Sequence, residues 1–309
     1  MKVWSKASLL LISGLIMAAC NQKAADNKPA DAAPAAGGGD VIGLAISTQN
    51  NPFFVSLKQG AEEEAKKLGL KLVVVDANDD SSKQAAGVDD LLQQKVKVLL
   101  INPTDSEAAA ASVARATKAG IPVISIDRSV KGADVAAHIA SDNVAGGKMA
   151  AEFIVQQLAS GGDIVELEGI PGSSAARERG QGFHDIMDAQ KAIKIVAKQP
   201  ADFDRTKGLT VMENILQSHP NVKAIFAHND EMALGAVKAL EAANKKGVIV
   251  VGFDATDDAK AAVKAGKMAA TVAQKPAKIG QLGVSTAKQI IAGEKVEKSV
   301  PVELELIKQ

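Results

Sequence analysis

"VIGLAISTQNNPFFVSLKQGAEEEAKKLGLKLVVVD", residues Val41–Asp76, reads as one complete strand–helix–strand unit. "VIGLAIS" and "LKLVVVD" are short, apolar and rich in β-branched residues, as buried strands are. Between them "PFFVSLKQGAEEEAKKLG" spaces its apolar residues three and four apart, the period of an amphipathic helix. A strand that returns parallel to its predecessor needs a crossover of about a dozen residues or more, and this helix supplies it. Pro52 stands in the first helical turn, where a missing N–H is harmless, and Gly69 closes the helix before the next strand. The turn holds more than a turn requires. Asn50, Asn51, Phe53 and Phe54 follow the first strand, and chain reversal uses Asn and Pro but has no need of paired aromatic rings.

The unit repeats. "VKVLLIN", "IPVISID", "AAHIASD", "GDIVELEG", "IKIVAKQ", "VKAIFAHN", "GVIVVGFD" and "MAATVAQ" continue the strand series. Helical patterns such as "SKQAAGVDDLLQQ", "DSEAAAASVARATKAG", "NVAGGKMAAEFIVQQLASG" and "DEMALGAVKALEAAN" lie between them. Asp105, Ser106 and Glu107 place capping and negative groups where a helix should open, and Gly120 closes it. Alternation of this kind predicts an α/β fold with parallel sheets covered on both faces. Ten strands exceed one comfortable sheet, and 309 residues suit about two domains, so two similar lobes are expected.

Composition excludes some classes. Apolar residues make up 47% and charged residues 23%, the balance of a globular protein. Lys+Arg and Asp+Glu are 36 each, which argues against nucleic acid as a partner. At the N-terminus Lys2 and Lys6 precede "ASLLLISGLIMAA", an export-signal pattern over residues 1–20 too short for a membrane span. Cys20 is the sole cysteine, so no internal disulfide can form. "LIMAAC" resembles a lipobox with Met17 where Leu is preferred, and predicts lipidation of Cys20. Ordinary cleavage near Ala19 is the competing reading. Residues 21–40, rich in Ala, Pro, Gly and Asp, read as a flexible tether. The expected location is extracytoplasmic, in a periplasm or held to a membrane by that lipid.

Ligands of open parallel α/β sheets bind beyond the carboxyl ends of the strands. Those ends carry Asn51, Phe53 and Phe54, then Asn102, Asp127 with Arg128, Arg177 with Arg179, Phe203, Asn229 with Asp230, Phe253 with Asp254, and Gln274. Planar groups that donate and accept in pairs suit hydroxyls, and phenylalanine faces suit the C–H faces of a sugar ring. Asn and Asp also cap helices, and Asp230 reads as a cap. One of Phe53 and Phe54 reads as a core candidate, and Phe153, Phe183 and Phe226 fall inside element patterns and read as packing.

Catalytic signatures are missing. His138, His184, His219 and His228 lack metal-ligand spacing, and no nucleophile elbow, P-loop or dinucleotide fingerprint occurs. Asp76, Asn78 and Asp80 match three positions of a calcium loop, but Ser81 and Gly87 stand where it needs Gly and an acid. No metal, no cofactor and no enzymatic reaction are expected.

Taken together, "STQNNPFFVSLKQGA", "LLINPTDS", "VISIDR", "HIASDNVAGGKMA", "GSSAARERGQGF", "QPADFDR", "NDEMALGA", "VVGFD" and "AATVAQ" resemble the type I periplasmic sugar-binding family, from about Val41 to the C-terminus. The resemblance implies two Rossmann-like lobes, 41–141 plus 275–302 and 142–274 plus 303–309, joined by a three-stranded hinge. It implies a monomer that closes on D-ribose and delivers it to the membrane permease of an ATP-binding-cassette importer, with a chemoreceptor as a second reader. Carried over by position, the site would be Asn51, Phe53, Phe54, Asn102, Asp127, Arg128, Arg179, Phe203, Asn229, Phe253, Asp254 and Gln274. Phe54 and Phe203 would face the sugar ring, and the four charged residues would hold hydroxyls. The lipobox and tether depart from a freely soluble member. Three rivals are a receptor for another small furanose, an exported sugar-converting enzyme and a lactose-repressor-type regulator. The last needs a helix-turn-helix head that this start does not provide.

Overall fold

Two sheets with one shared strand order organise the chain. The computed structural model describes residues 39–308, so Cys20, the signal pattern and most of the tether lie outside the described residues. The first lobe holds β1 (Val41–Ile46), α1 (Pro52–Lys67), β2 (Lys71–Asp76), α2 (Ser81–Gln93), β3 (Leu99–Ile101), α3 (Ala109–Lys118), β4 (Val123–Ile126) and β5 (Ala137–Ser141). The second holds α4 (Asn143–Gln157), β6 (Gly162–Glu168), α5 (Ser174–Met187), β7 (Ile193–Pro200), α6 (Arg205–Ser218), β8 (Ala224–Ala227), α7 (Asp230–Ala242), β9 (Ile249–Asp254), α8 (Asp257–Lys264) and β10 (Ala270–Ala273). The chain then returns to the first lobe as α9 (Pro276–Ile291) and β11 (Ser299–Val302), and ends in the second as β12 (Glu305–Lys308).

The sheets run β11-β5-β4-β3-β1-β2 and β12-β10-β9-β8-β6-β7. All pairings are parallel except β12 on β10, an antiparallel edge on an otherwise parallel sheet. In each lobe the first strand lies between the second and the third. That reversal of winding opens a crevice at the carboxyl ends of β1 and β3, and again at β6 and β8. Three crossings join the sheets, at Asp142, at Gln274–Lys275 and at Glu303–Leu304.

Each sheet is buried on both faces. Ile42, Leu44 and Ile46 of β1 face α1 and α9, while Ala45 joins Leu99 and Ile101 under α2 and α3. In the second lobe Ile164 and Phe226 face α4 and α5, and Val165, Leu167 and Ile225 face α6 and α7. Phe153, Phe183 and Phe226 are core residues, and Phe183 stacks on Phe226 with ring centroids 4.6 Å apart.

Glycines draw the helices that carry the site against their neighbours. A Cβ on Gly60 of α1 would meet the Ala277 carbonyl, and one on Gly280 of α9 would meet the Leu57 carbonyl. The pairs Gly147/Gly182 between α4 and α5, and Gly208/Gly235 between α6 and α7, repeat this close backbone approach.

All ten expected strands occur. β11 and β12 were not anticipated, and Pro301 inside β11 masks a strand that sits at a sheet edge, where Pro is tolerated. α3 starts at Ala109, later than the Asp105–Glu107 signal. The Asp105 carboxylate instead accepts from the N–H groups of Glu107 and Ala108 and caps the turn leading into the helix. Asp76 and Asp80 are used as turn and cap acceptors: Asp76 accepts from Asn78 N–H, and Asp80 caps α2.

Candidate functional site

The carboxyl ends of the strands face one another across the crevice and enclose a small cavity. The first lobe contributes Asn51, Phe53, Phe54, Asp127 and Arg128, and the second Ala175, Arg179, Phe203, Asn229, Asp254 and Gln274. Ten of the twelve residues singled out from sequence therefore line one space, all but Asn102 and Phe253.

Local backbone geometry aims these side chains. Asp127 leaves β4 at φ 62°, Phe203 leaves the turn after β7 at φ 60°, and Asp254 ends β9 at φ 115°. Such left-handed conformations cost a non-glycine residue about 1–3 kcal/mol and persist only where surroundings enforce them. Here Asp127 N–H donates to the Ile139 carbonyl (2.8 Å), and Asp204 N–H closes the Phe203 turn on the Ala201 carbonyl (3.0 Å). Three residues with left-handed backbones thus line one cavity, Asp127 from the first lobe and Phe203 and Asp254 from the second.

Asn51 and Asn229 are both caps and walls. Asn51 Oδ1 accepts from Phe53 N–H, and Asn229 Oδ1 accepts from Met232 N–H while its amide donates to the Phe203 carbonyl. Asp230, expected to cap α7, does not: Asn229 takes that place. Asp230 accepts from Thr256 N–H and the Thr271 hydroxyl, both at 2.7 Å, tying α7 to α8 and β10.

The charges alternate and are all buried. Asp127 lies 3.8 Å from Arg128 Nε, and Asp254 Oδ1 lies 3.8 Å from Arg179 Nη1, close enough to attract but too far to hydrogen bond. Burial pushes the Asp127 carboxyl above its ordinary range, against Arg128, Arg179 and the Asn102 amide. Burial likewise pushes Asp254 up to about 7, against Arg179 and the amide donated by Gln274 at 2.8 Å. Both guanidiniums have their pKa lowered by burial, with Asp127 and Asp254 opposing it. Among the described residues, Arg128 Nε and Gln274 Oε1 have no hydrogen-bond partner. One is a donor and the other an acceptor, and a hydroxyl serves both.

Aromatic rings complete the wall. Phe53 and Phe54 meet edge to face, with centroids 5.1 Å apart. The Arg128 guanidinium lies 5.0 Å from the Phe54 centroid and 5.3 Å from that of Phe203, so it spans rings of both lobes.

Asn102 and Phe253 stand one layer behind. The Asn102 amide donates to Asp127 Oδ2 (3.1 Å) and its Oδ1 accepts from Ser47 N–H (3.2 Å). The Phe253 ring lies 3.8 Å from the Arg179 guanidinium carbon. Arg177 points away and donates to the Pro171 carbonyl. Sequence reasoning missed Ala175, a small wall residue without a signal, and Asn143, whose Oδ1 accepts from Arg179 Nε at 2.9 Å.

A larger hollow of about 610 Å³ adjoins the cavity and shares Phe53, Asp254 and Gln274 with it. Its other walls include the exposed Asp257, Asp258, Lys260 and Lys275, so it is an open groove. The convergent buried groups belong to the smaller space.

The lobes also touch directly. Ser106 N–H donates to the Gly172 carbonyl (3.0 Å), Ser174 N–H to Ser106 Oγ (3.1 Å), and Ser129 N–H to Ser174 Oγ (2.9 Å). The two lobes are closed on each other.

Residues 42–295 match the family of the periplasmic binding protein domain. The chain is 57% identical over 270 residues to the ribose import binding protein RbsB of Haemophilus influenzae, covering 87% of this chain and 92% of that one. It is 56% identical over 265 residues to RbsB of Bacillus subtilis, covering 86% of each. The solved structure of the Caulobacter myo-inositol binding protein, bound to myo-inositol, superposes with a TM-score of 0.84 at 37% identity. That match covers 90% of this chain and 95% of the other.

Proposed function

Since the chain belongs to the periplasmic binding protein family, a family of solute-binding proteins and not of enzymes, we propose that it captures D-ribose in the interlobe cavity. The carrying observation is the pair of unpartnered buried atoms, Arg128 Nε and Gln274 Oε1, in a cavity walled by phenylalanines and two Asp–Arg pairs. A sugar hydroxyl donates and accepts at once, and the ring's C–H faces suit Phe53, Phe54 and Phe203. The names of the relatives support a pentose. Asn102 and Phe253 would act from behind, by fixing Asp127 and Arg179.

A ligand that touches both lobes binds the closed form better and shifts the population towards it. The closed surface is what the permease of an ATP-binding-cassette importer would read, and a chemoreceptor would be a second reader. The protein would act as a monomer outside the cytoplasm, tethered through a lipid on Cys20. Mass spectrometry of the mature N-terminus tests that tether.

Each charge-assisted hydrogen bond contributes about 1.5–3 kcal/mol. A missing hydroxyl also leaves a buried group unmatched, so 2-deoxyribose should bind at least about a hundredfold more weakly than D-ribose. Titration calorimetry with D-ribose, 2-deoxyribose, glucose and galactose checks this. Equal affinity for all four would defeat the assignment.

A further inference from the structure

Glu166 sits inside β6, fully buried, and does not line the cavity. Its Oε1 lies 2.9 Å from His228 Nε2 and its Oε2 lies 2.9 Å from His184 Nε2. His184 Nδ1 in turn lies 2.9 Å from Asp188 Oδ1. Two histidines that look scattered in the sequence thus meet on one carboxylate.

The tautomers follow from the partners. Gly169 N–H donates to His228 Nδ1 (3.4 Å), which leaves Nε2 of a neutral ring to donate to Glu166. His184 faces a carboxylate from each nitrogen and donates through both. Burial disfavours its charge, but Asp188 and Glu166 outweigh burial and raise its pKa. Burial also pushes Glu166 up, yet the two histidines pull it below its ordinary value, so it stays ionised.

The other end of His228 reaches the cavity. Its carbonyl accepts from Arg179 Nη1 at 2.6 Å, and its N–H donates to the Leu167 carbonyl at 2.9 Å. The ring is pinned by Glu166 and Gly169, the N–H by Leu167, and the carbonyl sets where Arg179 points. Asn229, the next residue, is itself a cavity wall.

We propose that Glu166 and His228 are positioning residues for Arg179, fixing the guanidinium through the backbone of His228 so that it meets the sugar in one orientation. A buried ion network is a weak source of stability, and fixing geometry is its better-attested use. This inference rests on the ribose reading for what Arg179 binds, but not for how Arg179 is held.

The test uses the full-length mature protein. Calorimetry measures D-ribose affinity, and nitrogen-15 NMR follows exchange of the Arg179 Nε–H without ligand. His228→Leu removes both ring contacts. It should weaken binding about tenfold, the effect of one lost buried hydrogen bond, and speed Arg179 Nε–H exchange by a similar factor. His228→Gln keeps a donor for Glu166 and an acceptor for Gly169, and should stay within about twofold of wild type in both readouts. In an Arg179→Lys background, His228→Leu should cost less than about twofold, because coupled residues are not additive. Where His228→Leu does not fold, the smaller polar change His228→Asn, too short to span both partners, carries the same expectation. Equal losses in both backgrounds, or unchanged Arg179 exchange in folded His228→Leu or His228→Asn, would overturn the proposal. Absence of ribose binding by the wild type would instead sink the functional reading, and the exchange measurement would still decide how Arg179 is held.

Discussion

Arg128 and Arg179 face one cavity from opposite lobes, and they are held differently. Arg179 is gripped on every side by its own lobe: Nε donates to Asn143, Nη1 donates to His228, Phe253 lies under the plane and Asp254 stands 3.8 Å away. Arg128 donates to the Pro103 carbonyl through Nη1 (3.1 Å), and its Nε has no partner among the described residues. One of its two aromatic neighbours, Phe203, belongs to the other lobe. The second lobe therefore presents a finished clamp, whereas the first presents one that closure and ligand complete. Preorganisation is concentrated on one side of the hinge.

Truncating each arginine exposes the asymmetry. Arg179→Ala would strand Asn143, the His228 carbonyl and Asp254, and breaking a buried network of this kind costs about 3–5 kcal/mol. For a protein of this size the free form should melt roughly ten degrees lower by calorimetry. Arg128→Ala gives up one hydrogen bond, to the Pro103 carbonyl, and the 3.8 Å pairing with Asp127, so the free protein should melt below wild type but by less than Arg179→Ala. Both variants should lose D-ribose binding by more than about a hundredfold, since each removes charge-assisted bonds to the ligand. If Arg128→Ala destabilises the free protein as much as Arg179→Ala, the comparison fails.

Asp254 gives the next largest effect, and its sign is fixed. Burial raises its carboxyl to about 7, against Arg179 and Gln274. The unfolded chain holds that proton only below about 4. Its contribution to stability is therefore full below about pH 4 and is lost as pH rises through 7. A sugar hydroxyl that donates to Asp254 needs the carboxylate, so binding should expel the proton and tighten as pH rises from 6 to 8. Asp127, raised by burial too, acts in the same direction. A one-unit fall in the pKa of Asp254 on binding would change affinity up to about tenfold. Calorimetry in buffers of unlike ionisation enthalpy should register proton release near pH 7, and Asp254→Asn should abolish most of it.

Sequence made much of this legible, and the limits have physical causes. Periodicity shows which segments are strands, and the carboxyl ends of parallel strands are where ligands go, so Asp127, Asp254 and Asn229 could be named from their positions alone. Three things stayed hidden. β11 carries a proline, and only its place at a sheet edge makes that acceptable. The left-handed backbones of Asp127, Phe203 and Asp254 give no signal, because glycine would be the residue to suggest them. The Glu166–His228–His184 contacts join residues 18 and 62 positions apart, beyond any local pattern. A glutamate inside the β-branched run "DIVEL" was the one available sign. The exchange of Asp230 for Asn229 as the α7 cap shows the remaining ambiguity: adjacent Asn and Asp cap equally well, and only the distant partners of Asp230, Thr256 and Thr271, decide.

The smallest effect comes from bonds that join the finished clamp to the unfinished one. Ser106, Ser129 and Ser174 link the lobes without lining the cavity. Two of the three bonds need a serine hydroxyl: Ser106 Oγ accepts from Ser174 N–H, and Ser174 Oγ accepts from Ser129 N–H. Each should contribute about 0.5–1.5 kcal/mol, and only while the lobes are shut. Ser106→Ala or Ser174→Ala should then leave the melting of the free protein unchanged and speed sugar release by about two- to tenfold. Arrival should hardly change, because the encounter precedes closure and affinity differences within one site fall mainly on dissociation. Stopped-flow kinetics with a closure-sensitive dye separates the two rates. A slower arrival with unchanged release would mean that the serines shape the open form instead, and that the lobes are drawn together by the sugar and the arginines alone.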